Sequence, residues 1–90
     1  MPYVKDEARE ALAAGAPAAN PGELNYVFFC LAQEYVHVKG LSYQTLNDVS
    51  GAFNEGLAEF RRRVIVPYEE RKRAENGDVV DVALLGQLGQ

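Results

Sequence analysis

The stretch NPGELNYVFFCLAQEYVHVKG, residues 20–40, decides the fold because it contains one complete amphipathic helix with both of its ends. Asn20 is suited to cap the first turn, Pro21 to occupy the first helical position, and Glu23 to complete a capping box. From there to Gly40, a residue type favoured just after a helix, apolar residues recur at spacings of three and four. The predicted apolar stripe consists of Leu24, Val27, Phe28, Leu31, Tyr35 and Val38.

A second apolar stripe follows directly after Gly40. Ser42 is suited to cap this next helix, and the short link around Gly40 favours an antiparallel αα-hairpin. The spacings of three and four suit packing along a partner helix of nearly parallel or antiparallel direction. The stripe consists of Leu46, Val49, Phe53, Leu57, Phe60 and Val64.

The two ends of the chain predict shorter elements. Val4, Ala8 and Leu12 lie four residues apart and predict a short N-terminal helix, which an uncharged linker of small residues follows. The apolar tail fits either a docked short helix or a strand added to a partner. We interpret the chain as a single all-α domain, with an N-terminal helix and linker at residues 1–19, a helical hairpin core at 20–78 and a tail at 79–90.

Pro67 interrupts the long third helix. It has no N–H to bond the carbonyl of Arg63, and a residue before proline is disfavoured in helical geometry. The three β-branched residues from Val64 to Val66 weaken the helix further. We therefore expect a kink or break between Val64 and Pro67, a further helical segment after it, and a helix stop at Asn76.

The length of the third helix predicts self-association. A continuous helix over residues 42–75 would span roughly 50 Å, whereas a compact domain of this length has a radius of gyration of roughly 12 Å. Such a helix leaves Phe60, Val64, Ile65 and Val66 uncovered in a monomer. Either the chain folds back at the kink or a second copy covers these residues, and we expect a homo-oligomer.

Charge and cysteine usage exclude several classes of protein. Thirteen acidic and nine basic residues give a net charge of −4, which argues against general binding of nucleic acids or anionic membranes. Cys30 is the only cysteine, so an intrachain disulfide is excluded. The N-terminus lacks the apolar core of a signal peptide, and no run of 18 apolar residues occurs. We expect a cytoplasmic protein, in the host cytoplasm if the chain is phage-encoded.

Candidate catalytic and metal sites are weak. Glu34 and His37 have the ExxH spacing of di-iron bundles, but the core-facing stripe of the third helix adds no carboxylate. Cys30 lies about two helical turns from His37, too far for a direct hydrogen bond, and the chain has no second histidine. Glycine-rich nucleotide loops and hydrolase motifs are also absent from the sequence. We predict no metal, no cofactor and no enzymatic activity, unless subunits share a site.

The third helix has a second, uncharged polar face. Its amides, hydroxyls and small residues suit either a polar helix–helix interface or a recess for a polar ligand, and both interpretations stay open. The face consists of Tyr43, Asn47, Ser50, Gly51, Asn54 and Ala58.

The stretch RRRVIVPYEERKRAENGD, residues 61–78, holds six of the nine basic residues. Glu59 with Arg63, and Glu69 with Arg73, are four residues apart and are expected to pair, which neutralises part of the charge. A single phosphate group is the anion that the remaining charge suits, since bidentate contacts need few residues. The candidates beside Tyr68 are Arg61, Arg62, Arg71 and Lys72.

Four blocks of the chain resemble those of a domain-of-unknown-function family of small phage, prophage and bacterial proteins. The blocks are NPGELNY at 20–26, GLSYQTLNDVSGA at 40–52, EFRRRVIVPYE at 59–69 and ENGDV at 75–79. Family members carry a longer charged segment in place of the linker and often an aromatic in place of Arg61. Cys30 and His37 are not parts of the pattern, whereas Asp48 belongs to it and is expected to face solvent.

These observations lead to two functional hypotheses. The first is a non-enzymatic helical homo-oligomer that binds a polar, nucleotide-like small molecule, as a phage anti-defence sponge sequesters a nucleotide immune signal. The second is an adaptor or inhibitor that docks on a host protein through an exposed helix face and the tail. The expected ligand-binding residues are Asn25, Tyr26, Tyr43, Asn47, Arg62, Tyr68, Arg71 and Lys72.

Overall fold

The computed structural model describes residues 4–89, and within that range all regular secondary structure is helical. This confirms the predicted all-α class. Residues 1–3 of the predicted N-terminal part and residue 90 of the tail lie outside the described residues. The elements are α1 (Asp6–Ala13), α2 (Pro21–Lys39), α3 (Tyr43–Phe60), a π-helical segment (Arg61–Ile65), α4 (Val66–Asn76) and α5 (Val82–Leu88).

The chain divides into two compact units, Met1–Ala52 and Phe53–Gln90. The first unit contains α1, α2 and the N-terminal half of α3, and the second contains the rest of α3 and the following helices. The interpretation as one domain stays a prediction. No helix between residues 4 and 89 combines the length and the apolar character needed to cross a bilayer.

Both ends of α2 lie at their sequence signals. The Asn20 side chain accepts the N–H of Glu23 at 2.9 Å. The Glu23 carboxylate in turn accepts the N–H of Ala19 at 3.1 Å, one residue before the expected cap. At the other end Gly40 has a φ of +91° and donates its N–H to the Val36 carbonyl at 2.7 Å. The predicted cap and stop are therefore confirmed.

The corner between α2 and α3 is held by a reciprocal exchange of hydrogen bonds. The Ser42 hydroxyl accepts the N–H of Thr45 at 3.1 Å, as expected of an N-cap. The Thr45 hydroxyl accepts the N–H of Ser42 at 3.1 Å and donates to the Gly40 carbonyl at 2.8 Å. Thr45 is also the only buried residue in the described range.

The helix does not break before Pro67. Ile65 and Val66 both have helical dihedral angles, so the expectation that Val66 would leave helical geometry is wrong. Instead, the residues from Arg61 to Ile65 form a π-helical segment, and the Val66 N–H bonds the Arg61 carbonyl five residues back. A π turn is one of the few ways in which a helix changes its hydrogen-bond register without ending. The irregularity therefore begins at Arg61, three residues before the predicted interval, and overlaps this interval at Val64 and Ile65.

The tail contains a short helix and no strand among its described residues. α4 ends at Asn76, where the stop was predicted, and Gly77 follows with a φ of +87°. The Asp81 carboxylate then caps α5 by accepting the N–H of Ala83 at 2.7 Å. Val79, which precedes this helix, is 99% exposed, and Leu88 at its end is 70% exposed.

The predicted apolar stripes are exposed or half-buried. Across residues 4–89 no apolar residue is buried. Of the four residues predicted to be uncovered in a monomer, Phe60, Val64 and Val66 are 54%, 50% and 48% exposed, whereas Ile65 is half-buried. The helices form as their sequences predict, and much of the apolar surface of each helix is exposed.

Candidate functional site

The eight predicted ligand-binding residues fall into two groups of four. Asn25, Tyr26, Tyr43 and Asn47 belong to the first unit, and Arg62, Tyr68, Arg71 and Lys72 belong to the second.

In the first unit, Tyr26 is the predicted residue with the most contacts. The guanidinium of Arg9 in α1 lies 5.5 Å from the centre of its ring. A hydrogen bond with Cys30, one turn further along α2, raises the pKa of the Tyr26 hydroxyl above its usual value. Half-buried Cys30 thus neighbours a tyrosine, and Tyr26 links α1 to α2. These contacts give Tyr26 a structural role.

The other three predicted residues of this unit are exposed, and Tyr43 is 82% exposed. Within the described range no hydrogen bond or ion pair joins Asn25, Tyr43 or Asn47 to another side chain. The structure therefore leaves these three polar groups available to a partner molecule, but it does not assemble them into a site. Their role in binding stays a prediction.

A cluster that the sequence analysis missed joins α2 to α3. The Tyr35 hydroxyl donates to the Asp48 carboxylate at 2.8 Å, and the Gln44 amide donates to its other oxygen at 2.7 Å. Tyr35 was assigned to the apolar stripe, and Asp48 was expected to face solvent but is half-buried. The bond between Gln44 and Asp48 could have been predicted from their spacing of four residues. The bond between Tyr35 and Asp48 joins two helices and has no signature in the local sequence.

This cluster predicts a loss of stability at high pH. The hydrogen bond to Asp48 raises the pKa of Tyr35 above its ordinary value of 10.0. A raised folded-state pKa gives a contribution that is complete below the unfolded value and is lost as the pH rises through the folded value. We expect the urea midpoint of the wild-type protein to fall above pH 10, and less steeply in Tyr35→Phe. Equal slopes, measured by circular dichroism at each pH, would contradict this assignment.

In the second unit, three predicted residues do come together. The Arg71 guanidinium and the Lys72 ammonium lie 5.3 Å and 5.6 Å from the centre of the Tyr68 ring. We call Tyr68, Arg71 and Lys72 the basic tyrosine cluster. Lys72 also contacts Glu75 at 3.3 Å. Arg71 has no ion pair with any acidic group of residues 4–89, so its charge is not neutralised locally.

The neighbouring arginines are paired. Glu59 forms ion pairs with Arg62 and, as predicted, with Arg63, the latter at 3.5 Å. The prediction that Arg73 pairs with Glu69 is wrong. Arg73 pairs with Glu70 three residues earlier and lies 3.7 Å from Asp78. These ion pairs are largely exposed, so each contributes little to stability. Arg62 is paired with Glu59 whereas Arg71 has no acidic partner, which makes Arg71 the better candidate for contact with an anion.

The remaining chemistry is limited. In the part of the chain that the structure describes, no three His, Cys, Asp or Glu side chains are grouped to hold a metal ion. A shallow recess of about 290 Å³ on α2 brings the Glu34 side chain beside apolar neighbours rather than beside further ligands. It is lined by Leu31, Glu34, Tyr35, Val38 and Lys39.

Comparison with protein families shows the family of this chain. A family described as domain of unknown function (DUF6899) matches residues 1–79. The chain belongs to this family. The match to DUF6899 begins at residue 1, so it includes α1 and the linker, and it ends before α5. Both the hairpin corner and the basic tyrosine cluster are therefore parts of the DUF6899 domain.

Comparison with curated proteins and with solved structures finds no match for this DUF6899 domain. The family description carries no reaction or ligand. The function must therefore be inferred from the side chains.

Proposed function

We propose that this DUF6899 protein is a non-enzymatic homo-oligomer that binds a phosphate-bearing small molecule at the basic tyrosine cluster. The observation that carries the proposal is the position of Arg71, which lies beside an aromatic ring and a lysine and lacks an acidic partner within residues 4–89. A guanidinium in this state is free to form two parallel hydrogen bonds with phosphate.

Nucleotides are the ligand class that this cluster suits best. Arg71 offers an unpaired cation for phosphate, and Lys72, which also contacts Glu75, offers a second one. Tyr68, which is 52% exposed, offers an aromatic ring and a hydroxyl to the rest of the ligand. A small phage protein that sequesters a nucleotide immune signal in the host cytoplasm would need this chemistry and no catalytic group.

Thermal unfolding with cyclic and ADP-ribose-type nucleotides tests the proposal. A ligand at 100 times its dissociation constant stabilises the folded state by about 2.7 kcal/mol, which raises the unfolding temperature by several degrees. Arg71→Ala should weaken binding about 10–100-fold, the value of a charged hydrogen bond. Arg73→Ala is the matched control, because Arg73 is already paired with Glu70 and Asp78. A panel without any shift, or equal affinities for both variants, would contradict the proposal.

A second candidate function rests on the tail. The apolar side chains of α5 and its approach are exposed, with Val82 at 83% and Leu88 at 70%. Such a helix is suited to dock in the groove of another protein, as an adaptor or inhibitor of a host protein would. Deleting residues 79–90 should then abolish capture of the host protein while circular dichroism shows that α1 to α4 remain. Capture that survives the deletion excludes the tail as the docking element.

A further inference from the structure

The π-helical segment at Arg61–Ile65 adds one residue to a single turn of the long helix. The Val66 N–H bonds the carbonyl of Arg61, five residues back, whereas an α-helical N–H bonds the carbonyl four residues back. The end of α3, the π-helical segment and α4 follow one another without a loop, and all three lie in the second unit. The widened turn therefore changes the side of the helix on which each residue of α4 lies.

This change moves Arg71 out of line with two apolar residues at the end of α3. Arg71 follows Phe60 by eleven residues and Leu57 by fourteen, which correspond to about three and four turns of an α-helix. A regular helix would therefore hold Arg71 on the same side as these two side chains, which are about half exposed. One extra residue corresponds to about 100° of rotation, so the π turn directs Arg71 to a separate side of the helix.

The separation is important for a cation that binds an anion. Any apolar surface that covers Leu57 and Phe60 removes water from their side of the helix. A guanidinium on that side would lose its water as well, at a large cost in free energy unless an acidic group pairs with it. Arg71 has no ion pair within residues 4–89, so its place on a different side keeps it open to water and to a ligand.

Pro67 accounts for the widened turn. In a regular helix it would offer no N–H to the Arg63 carbonyl, and its ring would crowd that carbonyl. The π-helical segment ends at Ile65, two residues before the ring, and a turn that closes over five residues leaves more room than one that closes over four. Alanine has an N–H and no ring, so at this position it favours the α-helical register.

We propose that Pro67 holds the π turn and thereby positions Arg71 away from the side of Leu57 and Phe60, where phosphate can reach it. Pro67 is then a positioning residue, which acts through Arg71. The inference rests on the proposed function for its ligand, whereas the register of the helix is measured without any ligand.

A distance across the π turn tests the register. Cys30→Ser removes the only cysteine, so Glu55→Cys and Glu69→Cys then place one spin label on each side of the turn. Neither glutamate forms an ion pair within residues 4–89. Pro67→Ala should restore the α-helical register and shorten the distance between the labels by about 5 Å. Dilution with unlabelled protein removes distances between copies.

Two further variants separate the register from other effects of the substitution. Val66→Ala shortens a neighbouring side chain but keeps the proline, so it should leave the distance unchanged. Deleting Arg61 from Pro67→Ala removes the extra residue, which gives an α-helix with the orientation of the π turn, so the original distance should return. An unchanged distance in Pro67→Ala, the same shortening in Val66→Ala, or a deletion that does not restore the distance would overturn the inference.

Binding of ADP-ribose measures the consequence for Arg71. Pro67→Ala should weaken binding at least about tenfold, the value of a charged hydrogen bond. In an Arg71→Ala background the same substitution should have no effect, because the proline acts through this arginine. Equal affinities with and without Pro67→Ala, beside a shortened distance, would overturn the positioning role. Protein that binds no nucleotide but shows the expected distances would overturn the proposed function and support the assignment of the π turn to Pro67.

Discussion

Gly40→Ala should lower the free energy of unfolding by about 1–3 kcal/mol, the cost of a backbone conformation that residues with a side chain rarely adopt. Gly40 ends α2 with φ +91° and ψ 147°. A Cβ added there meets no atom within 4 Å, so the cost arises from the backbone and not from a clash. Urea denaturation at fixed protein concentration measures the change.

Gly51→Ala is the matched control for this prediction. Gly51 lies inside α3, its added Cβ also meets no atom within 4 Å, and its φ is not positive. Alanine should therefore raise the free energy of unfolding by up to about 1 kcal/mol through its helix propensity. If the two variants change stability in the same direction, the backbone argument for Gly40 fails.

Thr45→Val should also destabilise the protein, by about 1–3 kcal/mol. Valine has nearly the same shape, but it removes the hydroxyl that donates to the Gly40 carbonyl and accepts the Ser42 N–H. Because Thr45 is buried, these backbone groups lose a partner at a site with little access to water.

Thr45→Ser separates the hydroxyl from the methyl group. Serine keeps both hydrogen bonds and removes one methyl, so this variant should lose less than about 1 kcal/mol. The free energies from urea denaturation should rank wild type, serine, valine. A valine variant as stable as wild type would show that the corner does not depend on the hydroxyl.

Local signals predicted most of the helical framework. The cap at Asn20, the stops at Gly40 and Asn76, and the cap at Ser42 all depend on residues within one turn of each other. Side chains and backbone groups so close in the chain meet whenever a helix forms there. The resemblance to a family of unknown function agrees with the match of DUF6899 to residues 1–79.

The contacts of the candidate residues were predicted only where the residues lie close together in the sequence. Tyr68, Arg71 and Lys72 are within one helical turn, so their meeting follows from helical spacing. The bond from Tyr35 to Asp48 crosses the hairpin and depends on how two helices meet. Sequence spacing carries no information on that geometry.

The sequence by itself determined the all-α class, the helix ends and the exposure of the apolar residues around Phe60, because each follows from local periodicity and helix length. Only the tertiary structure decided how the helix passes Pro67, what the tail forms and which cations are paired. Where a kink or a break was expected, it has a π-helical segment at Arg61–Ile65. It made the tail a helix and left Arg71 as a cation without an acidic partner among residues 4–89. Alternative hydrogen-bond registers and alternative ion pairs differ little in free energy. Which of them forms therefore depends on the rest of the chain and not on the local sequence alone.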